Sequence, residues 1–310
     1  SLNKSSAFNR PITNNTMDVD YYGINAENGS YYSLDGNTIN ITNINDQSSV
    51  RAIRFYSSEY CTVNNNTITA SGSTDDGYAI DNGYENSQAI INNNTIDWAS
   101  YDSTQCGWYR ADGSSYSPNY MYGIYTTDPQ EIKGNSISID QYYGGYALYV
   151  YKSYSYNVDA VIESNTIDFW SQYDWSSNYG IAIYGSSNNS SYTLAKGNTV
   201  NMYNGTRGGI LSETNNTDII DNIISFGDRY SQCGFSTSNS NFGLRFDQSD
   251  HHIIRGNTIT NFSMGISLEN NTDNVVDSNI IHTLSTYTTY TGNYQNWSNV
   301  YGIYAPNSDS

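Results

Sequence analysis

The sequence predicts an all-β chain: one solenoid of about ten stacked coils, a single domain spanning residues 1–310. Three observations predict it. A short asparagine phrase recurs about every thirty residues, a second phrase alternates with it without exception, and the composition is poor in helix formers.

The first phrase is an Asn, a small polar or aliphatic residue, then an aliphatic one. It is led by Asn37, Asn66, Asn94, Asn135, Asn165, Asn198, Asn222, Asn257 and Asn279, with Asn15 as an earlier member. The second is Gly or Ala followed by Ile or Leu, from Gly23-Ile24 through Gly209-Ile210 to Gly302-Ile303. Between them lie short segments alternating apolar and polar, punctuated by Asn, Gly, Ser and Asp, which read as strand, turn, strand, turn. Coils of this kind stack about 4.8 Å apart, so ten make a rod of roughly 48 Å. The Asn column is expected to be structural. Its members suit turn conformations that Asn and Gly tolerate, and stacked Asn side chains can hydrogen-bond along the rod as a ladder.

Composition excludes several function classes. Twelve Lys+Arg against 30 Asp+Glu leave a net charge of −18, which does not suit a binder that neutralises nucleic-acid phosphates. No apolar run approaches the 18 residues of a membrane-spanning helix. Aromatic residues make up 15% of the chain, with 32 Tyr, and regularly spaced Ile argues with them against disorder. Three Cys are no disulfide framework. Cys61 reads as a small buried apolar residue, and Cys106 and Cys233 fall in loops about four coils apart. The chain starts at Ser1 and reads as a processed or excised one.

The stretches Gly265–Ile281, Gly209–Ile224 and Gly243–Ile259 resemble the repeat of the NosD and pectate-lyase-like superfamily. The resemblance covers nearly the whole chain and implies a right-handed parallel β-helix. Proteins sharing it include polysaccharide lyases and hydrolases, epimerases, phage tailspikes, adhesins and fibre proteins, so it leaves function open. The NosD likeness also suggests a periplasmic metal-maturation accessory, although the chain has no Met or His cluster.

One corner of the coil accepts insertions. The longer connections are Asp97–Tyr120, Asp168–Asn178, Ser225–Asn241 and His282–Asn299. They gather all five Trp and many Tyr, and Trp98, Trp108, Tyr109, Trp170, Trp175, Tyr230, Tyr290 and Trp297 form the expected ligand or assembly surface. Such residues stack on sugar rings, anchor protein contacts, or give long loops small cores of their own. A Tyr also recurs before the Gly/Ala-Ile phrase, at Tyr22, Tyr78, Tyr122, Tyr146, Tyr179 and Tyr301, and reads as a structural stack.

Four residues after the phrase Gly stand Glu27, Glu213, Asp247 and Glu269. The last three belong to consecutive coils. Stacked carboxylates there are candidates for acid–base work on a glycosidic bond or for holding Ca²⁺, against the plainer reading of a solvated face in an acidic chain. A lyase would also need a base, for which Arg245 and Arg255 are nearest. No cofactor is required, and no His/Cys spacing suggests zinc. Sequons at Asn28, Asn40, Asn204, Asn261 and Asn296 permit glycosylation.

The chain begins and ends in half-coils that could complete one another between subunits. The leading expectation is a secreted or cell-surface structural solenoid, the subunit of a fibre, filament or adhesin, self-associating through strand edges at its ends and through its aromatic loops. The alternative is a carbohydrate-active enzyme (a polysaccharide lyase or glycoside hydrolase) or a tailspike-like glycan binder. Convergence of the aromatic loops and the acidic column on one face would favour the alternative.

Overall fold

The computed structural model describes residues 10–42, 49–71, 76–83, 87–99, 120–141, 144–171, 178–185, 190–204, 206–227, 241–283 and 300–306. Among them are thirty strands and no helix. The first coil is β1 (Arg10–Thr13), β2 (Thr16–Val19) and β3 (Tyr22–Glu27), and the last is β28 (Val275–Asp277), β29 (Ile280–His282) and β30 (Tyr301–Tyr304). Every third strand joins the same sheet, giving three ten-stranded sheets with neighbours one coil apart, all parallel. The molecule is a right-handed parallel β-helix of ten coils.

The turn from the first sheet to the second explains the asparagine phrase. The backbone N–H and side-chain Nδ2 of Asn15 donate to Oδ1 of Asn37 at 3.0 and 2.9 Å. The same pair of bonds runs from each ladder Asn to the next as far as Asn279. From Asn37 on, Nδ2 also donates to a main-chain carbonyl of the preceding coil, as Asn135 does to Ile91 at 2.9 Å. From Asn37 to Asn257 these amides are buried with their donors and acceptor used, which is what burial of a polar group requires.

The left-handed backbone falls one residue earlier than the sequence suggested. All ten residues before a ladder Asn have positive φ: Asn14, Gly36, Asn65, Asn93, Gly134, Ser164, Gly197, Asp221, Gly256 and Ser278, between 55° and 68°. That position is therefore restricted to Gly and small polar residues, while the ladder Asn is selected by its hydrogen bonds.

The second phrase is tied to the first by contact. A Cβ built on Gly209 would lie 2.2 Å from Cγ2 of Ile224, and one on Gly243 2.3 Å from Cγ2 of Ile259. The bare backbone of the third sheet thus receives the branched methyl of the next coil's asparagine phrase. Ile, Leu, Val and Phe from all three sheets fill the interior as one continuous core. Cys61 belongs to it, just before a strand rather than inside one, and burial pushes its thiol up to about 11.

Two tryptophans expected in the insertions are strand residues. Trp98 sits on the strand Thr95–Ala99 and points into the core. Trp170, on Thr166–Ser171, is fully buried too. Alternation explains Trp98, since Ile96 and Trp98 occupy inward positions two residues apart. Neither ring is available as a ligand or assembly surface. Trp108, Tyr109, Trp175, Tyr230, Tyr290, Trp297, Cys106 and Cys233 lie outside the described residues.

Candidate functional site

The outward face of the third sheet carries the chemistry of the molecule. In β3, alternation and a break at Gly23 send Tyr22, Asn25 and Glu27 outward while Ile24 and Ala26 enter the core. Strand register then builds three outward columns up the rod. The first holds Tyr22, Arg51, Tyr78, Tyr122, Tyr146 and Tyr179. The second holds Asn25, Arg54, Asp81, Tyr125 and Tyr149 over the same coils. The third includes Tyr151, Tyr184 and Glu213 in successive coils, and Asp247 beside Glu269.

The tyrosines interlock. Tyr78 and Tyr122 stack with centroids 4.8 Å apart and planes at 5°, Tyr122 and Tyr146 at 5.6 Å, and Tyr146 and Tyr179 at 6.5 Å. Tyr125, Tyr149 and Tyr184 form a second stack at 5.0 and 5.1 Å, edge-on to the first. Such offset and edge-to-face pairs add to what buried area alone contributes.

Where the second stack stops, a groove opens. Its volume is about 390 Å³, and Arg51, Arg54, Phe55, Tyr56, Tyr78, Asp81, Gly83, Tyr122, Tyr125 and Tyr149 line it. Gly83 makes room for it. A Cβ there would fall 1.6 Å from Cε1 of Tyr125, so any other residue would displace that ring. Arg51 lies over the Tyr78 ring at 4.7 Å, donates through Nε to Asp81 at 2.6 Å, and donates through Nη1 to Ser49. Burial opposes its charge, but Asp81 outweighs that and raises its pKa. Among the described residues Arg54 has an ion-pair contact with Glu27, at 3.6 Å, and a ring contact with Tyr56, at 5.1 Å.

The hydroxyls of Tyr78, Tyr122, Tyr125 and Tyr149 have no hydrogen-bond partner among the described residues. Desolvation raises the pKa of all four, Tyr78 to about 12. At neutral pH they are protonated phenols that can both donate and accept.

The acidic column occupies coils seven to nine of the same face and begins two coils beyond the groove's last coil, roughly 10 Å at 4.8 Å per coil. Asp247 and Glu269 are register partners, as the sequence spacing implies. The sequence did not suggest that Arg245 binds both, through Nη2 at 3.1 and 3.2 Å, while its Nη1 donates to the Tyr179 hydroxyl at 3.3 Å. Burial opposes the Arg245 charge, but Tyr179, Glu269 and Asp247 raise its pKa. Arg245 thus supplies the positive charge that a cation would bring to these two carboxylates. Among the described residues no three His, Cys, Asp or Glu side chains cluster to hold a metal. Arg255 is elsewhere, paired with Asp277 at 3.1 Å on the first sheet.

Glu213 stands apart from that network. It has neither an ion pair nor a hydrogen bond among the described residues, and desolvation followed by repulsion from Asp247 raises its pKa. A half-buried carboxyl beside an Arg-bound carboxylate is an acid–base arrangement in form.

The strands that follow the insertions and those that carry the acidic column belong to the same sheet. Segments 100–119, 172–177, 228–240 and 284–299 all connect a strand of the second sheet to one of the third. They re-enter near the first column, as at Tyr120 before Tyr122, whereas Glu213, Asp247 and Glu269 end their strands.

Of the groove's residues the sequence singled out Tyr78 and Tyr122, as members of the tyrosine column, but the groove itself escaped sequence reading because its other residues share no phrase. Arg51 occupies the tyrosine position of its coil, and Arg54, Asp81 and Tyr125 form a column of mixed type. Writing the coils in register from the Gly/Ala-Ile phrase, and reading three residues past the tyrosine position, would have exposed that column.

No helix among the described residues is long and apolar enough to cross a membrane. No family model matches the chain, and no curated protein matches it. Among solved structures the chain is similar to the Dettilon tailspike protein (gp208), with 13% identity and a TM-score of 0.43. The match covers 89% of this chain and 60% of that one, so the chain spans less than two thirds of the tailspike's length.

Proposed function

We propose that this protein is a β-solenoid that binds carbohydrate polymers along the outward face of its third sheet. The observation that carries the reading is the groove: four phenol hydroxyls without a hydrogen-bond partner among the described residues, at one aromatic-walled site. Hydroxyl-rich sugars offer matching donors and acceptors, and their C–H faces pack on aromatic edges and rings. Binding sites of this type combine an apolar lining with a few fixed polar groups. Rooting of the insertions along one edge of that face supports the same reading. A polymeric-glycan ligand goes with an extracellular or cell-surface location.

The test is a glycan array with the labelled protein, followed by calorimetry on the best ligand. Tyr125→Phe and Tyr149→Phe keep the rings and remove two hydroxyls. Each lost hydrogen bond is expected to cost about 1 kcal/mol, near fivefold in affinity. A folded protein that binds nothing on the array would overturn the reading.

Self-association is a second reading with its own observation. Ile223 and Ile280 face outward in one column with Thr258 between them, each 54% exposed, and Val275 is 47% exposed on the outward face of the first sheet. Aliphatic side chains on the flank of a rod suit lateral association of solenoids into a fibre. Sedimentation velocity across a concentration series reads it out, with Ile280→Lys as the disrupting variant.

A further inference from the structure

We infer that Asp128, Pro129 and Lys152 form a self-processing site: the carboxylate of Asp128 cleaves the Asp128–Pro129 peptide bond, and the freed acyl group passes to Nζ of Lys152.

The site lies at the corner that follows the third sheet, away from the groove. That corner takes a left-handed residue in coil after coil, at Asn28, Ser57, Asp128, Gln248 and Asn270, with φ between 43° and 55°. Of these, Asp128 alone precedes a proline. A proline pushes the residue before it towards extended backbone, and a left-handed side-chain-bearing residue is disfavoured in its own right, so strain gathers at this one bond. The bond is also a tertiary amide, with no N–H to tie its nitrogen into the fold.

The groups that such a cleavage needs surround the bond. The Asp128 side chain is fully buried, and its two carboxyl oxygens accept from the N–H of Ser153, at 3.0 Å, and from the Ser153 hydroxyl. The carboxyl is thus held dry beside its own main-chain carbonyl, and desolvation raises its pKa. The main-chain oxygen of Asp128 accepts the N–H of Gln88 at 2.8 Å, a donor placed to stabilise the oxyanion of a tetrahedral intermediate. Lys152 follows Tyr151, the register partner of Thr127, and is therefore the neighbour of Asp128 in the next coil. It is fully buried as well, pairs with no carboxylate among the described residues, and donates through Nζ to the carbonyl of Val158. Desolvation lowers its pKa to about 8, although Asp128 and Asp159 favour its charge.

The chemistry balances without an outside reactant. A carboxylate oxygen of Asp128 attacks its own main-chain carbonyl carbon, the bond to Pro129 nitrogen breaks, and the Lys152 ammonium gives that nitrogen a proton. The cyclic anhydride left on Asp128 is then attacked by the neutral Lys152 amine, which swings from Val158 on its flexible stem. An amide forms, the anhydride opens to a carboxylate, and the amine's proton passes to the Pro129 amine. Water is excluded from this corner, which favours the lysine as acceptor. The product keeps every atom of the chain but has a new amino terminus at Pro129 and a covalent tie between adjacent coils.

The experiment incubates the whole folded chain near pH 8, where the Lys152 amine and ammonium are both populated. Samples taken over days are denatured, their α-amines labelled, and their peptides mapped by mass spectrometry. The expected result is a growing Pro129 amino terminus and a branched Asp128–Lys152 peptide at unchanged intact mass. In urea the same conversion should slow on the order of a hundredfold, the worth of one oxyanion donor. Pro129→Ala leaves Asp128 and its partners in place and should slow it in the folded chain. Lys152→Gln, if its β spectrum is native, should divert the acyl group to water and release two fragments together heavier by one water. A folded chain that never shows a Pro129 terminus overturns the proposal, and so does a rate unchanged in urea. Cleavage of the native chain into unbranched fragments overturns the assignment of Lys152.

Discussion

Asn135 shows how much rests on a single side chain. Its Oδ1 accepts from the backbone N–H and from Nδ2 of Asn94, at 2.9 and 3.0 Å, and its own Nδ2 donates to Ile91 and Asn165. Asn135→Ala strands two buried donors on Asn94. The expected loss is about 2–4 kcal/mol, since each unsatisfied buried group costs about 1–3. A urea titration followed by far-UV circular dichroism measures it, and a midpoint unchanged from the native chain would refute the ladder's energetic role. The ladder residues were legible because a buried amide chain leaves no freedom at its positions. The positive-φ residue before each was not, because Asn, Gly, Ser and Asp all satisfy it and blur into the surrounding polar turn. Trp98 was misplaced for a related reason: it lies next to an insertion, and only the alternation from Ile96 assigns it to the core.

At the scale of elements, the corner between the third sheet and the first holds a buried polar cluster. His252 precedes the strand Ile253–Arg255 and is 1% exposed. Its Nδ1 lies 3.3 Å from the Thr217 nitrogen, and its Nε2 lies 3.0 Å from the Ser249 hydroxyl. Desolvation lowers its pKa from 6.5 to about 4. The folded protein therefore holds a neutral ring, and the unfolded chain takes up a proton first as pH falls. The stability it contributes is complete above pH 6.5 and is lost as pH drops towards 4. His252→Gln should flatten the fall of the thermal midpoint across that window. An identical pH profile in the variant would show that the loss arises elsewhere. The strands themselves were legible from alternation and phrase spacing. The tyrosine column was legible too, from its place before the Gly/Ala-Ile phrase, and its rings stack. The mixed Asn–Arg–Asp–Tyr column beside it was not, because it exists only once strands are set in register, and insertions of unequal length hide that register in the linear sequence.

The whole molecule is a stack whose strands pair only with those of adjacent coils, so coils should be removable. Deleting residues 198–221 joins Gly197 to Asn222, a step of 24 residues from one ladder Asn to the next. It places Asn222 where Asn165 expects Asn198. The groove at coils two to five is untouched. The nine-coil chain should fold with a native β spectrum and bind glycan as the full chain does. Aggregation or a collapsed spectrum would show that the repeats are not independent units. The fold as a whole was the most legible feature, because one local rule is repeated ten times. The groove is a departure from that repetition, and departures carry no periodic signal.

The asparagine ladder has a further effect at this scale. Ten side-chain amides line up, and nine of them, Asn15 to Asn257, each give an N–H to the side-chain carbonyl oxygen of the next coil's Asn. Aligned amide dipoles add, as they do in a helix, and chained hydrogen bonds polarise one another. The rod is therefore an electrical vector, with its negative pole at Asn15 and its positive pole at Asn279. Between two such rods, each of net charge −18, the ladder dipoles lower the energy of the antiparallel arrangement relative to the parallel one. Lateral packing on a surface or in a bundle thus carries a built-in preference for antiparallel neighbours.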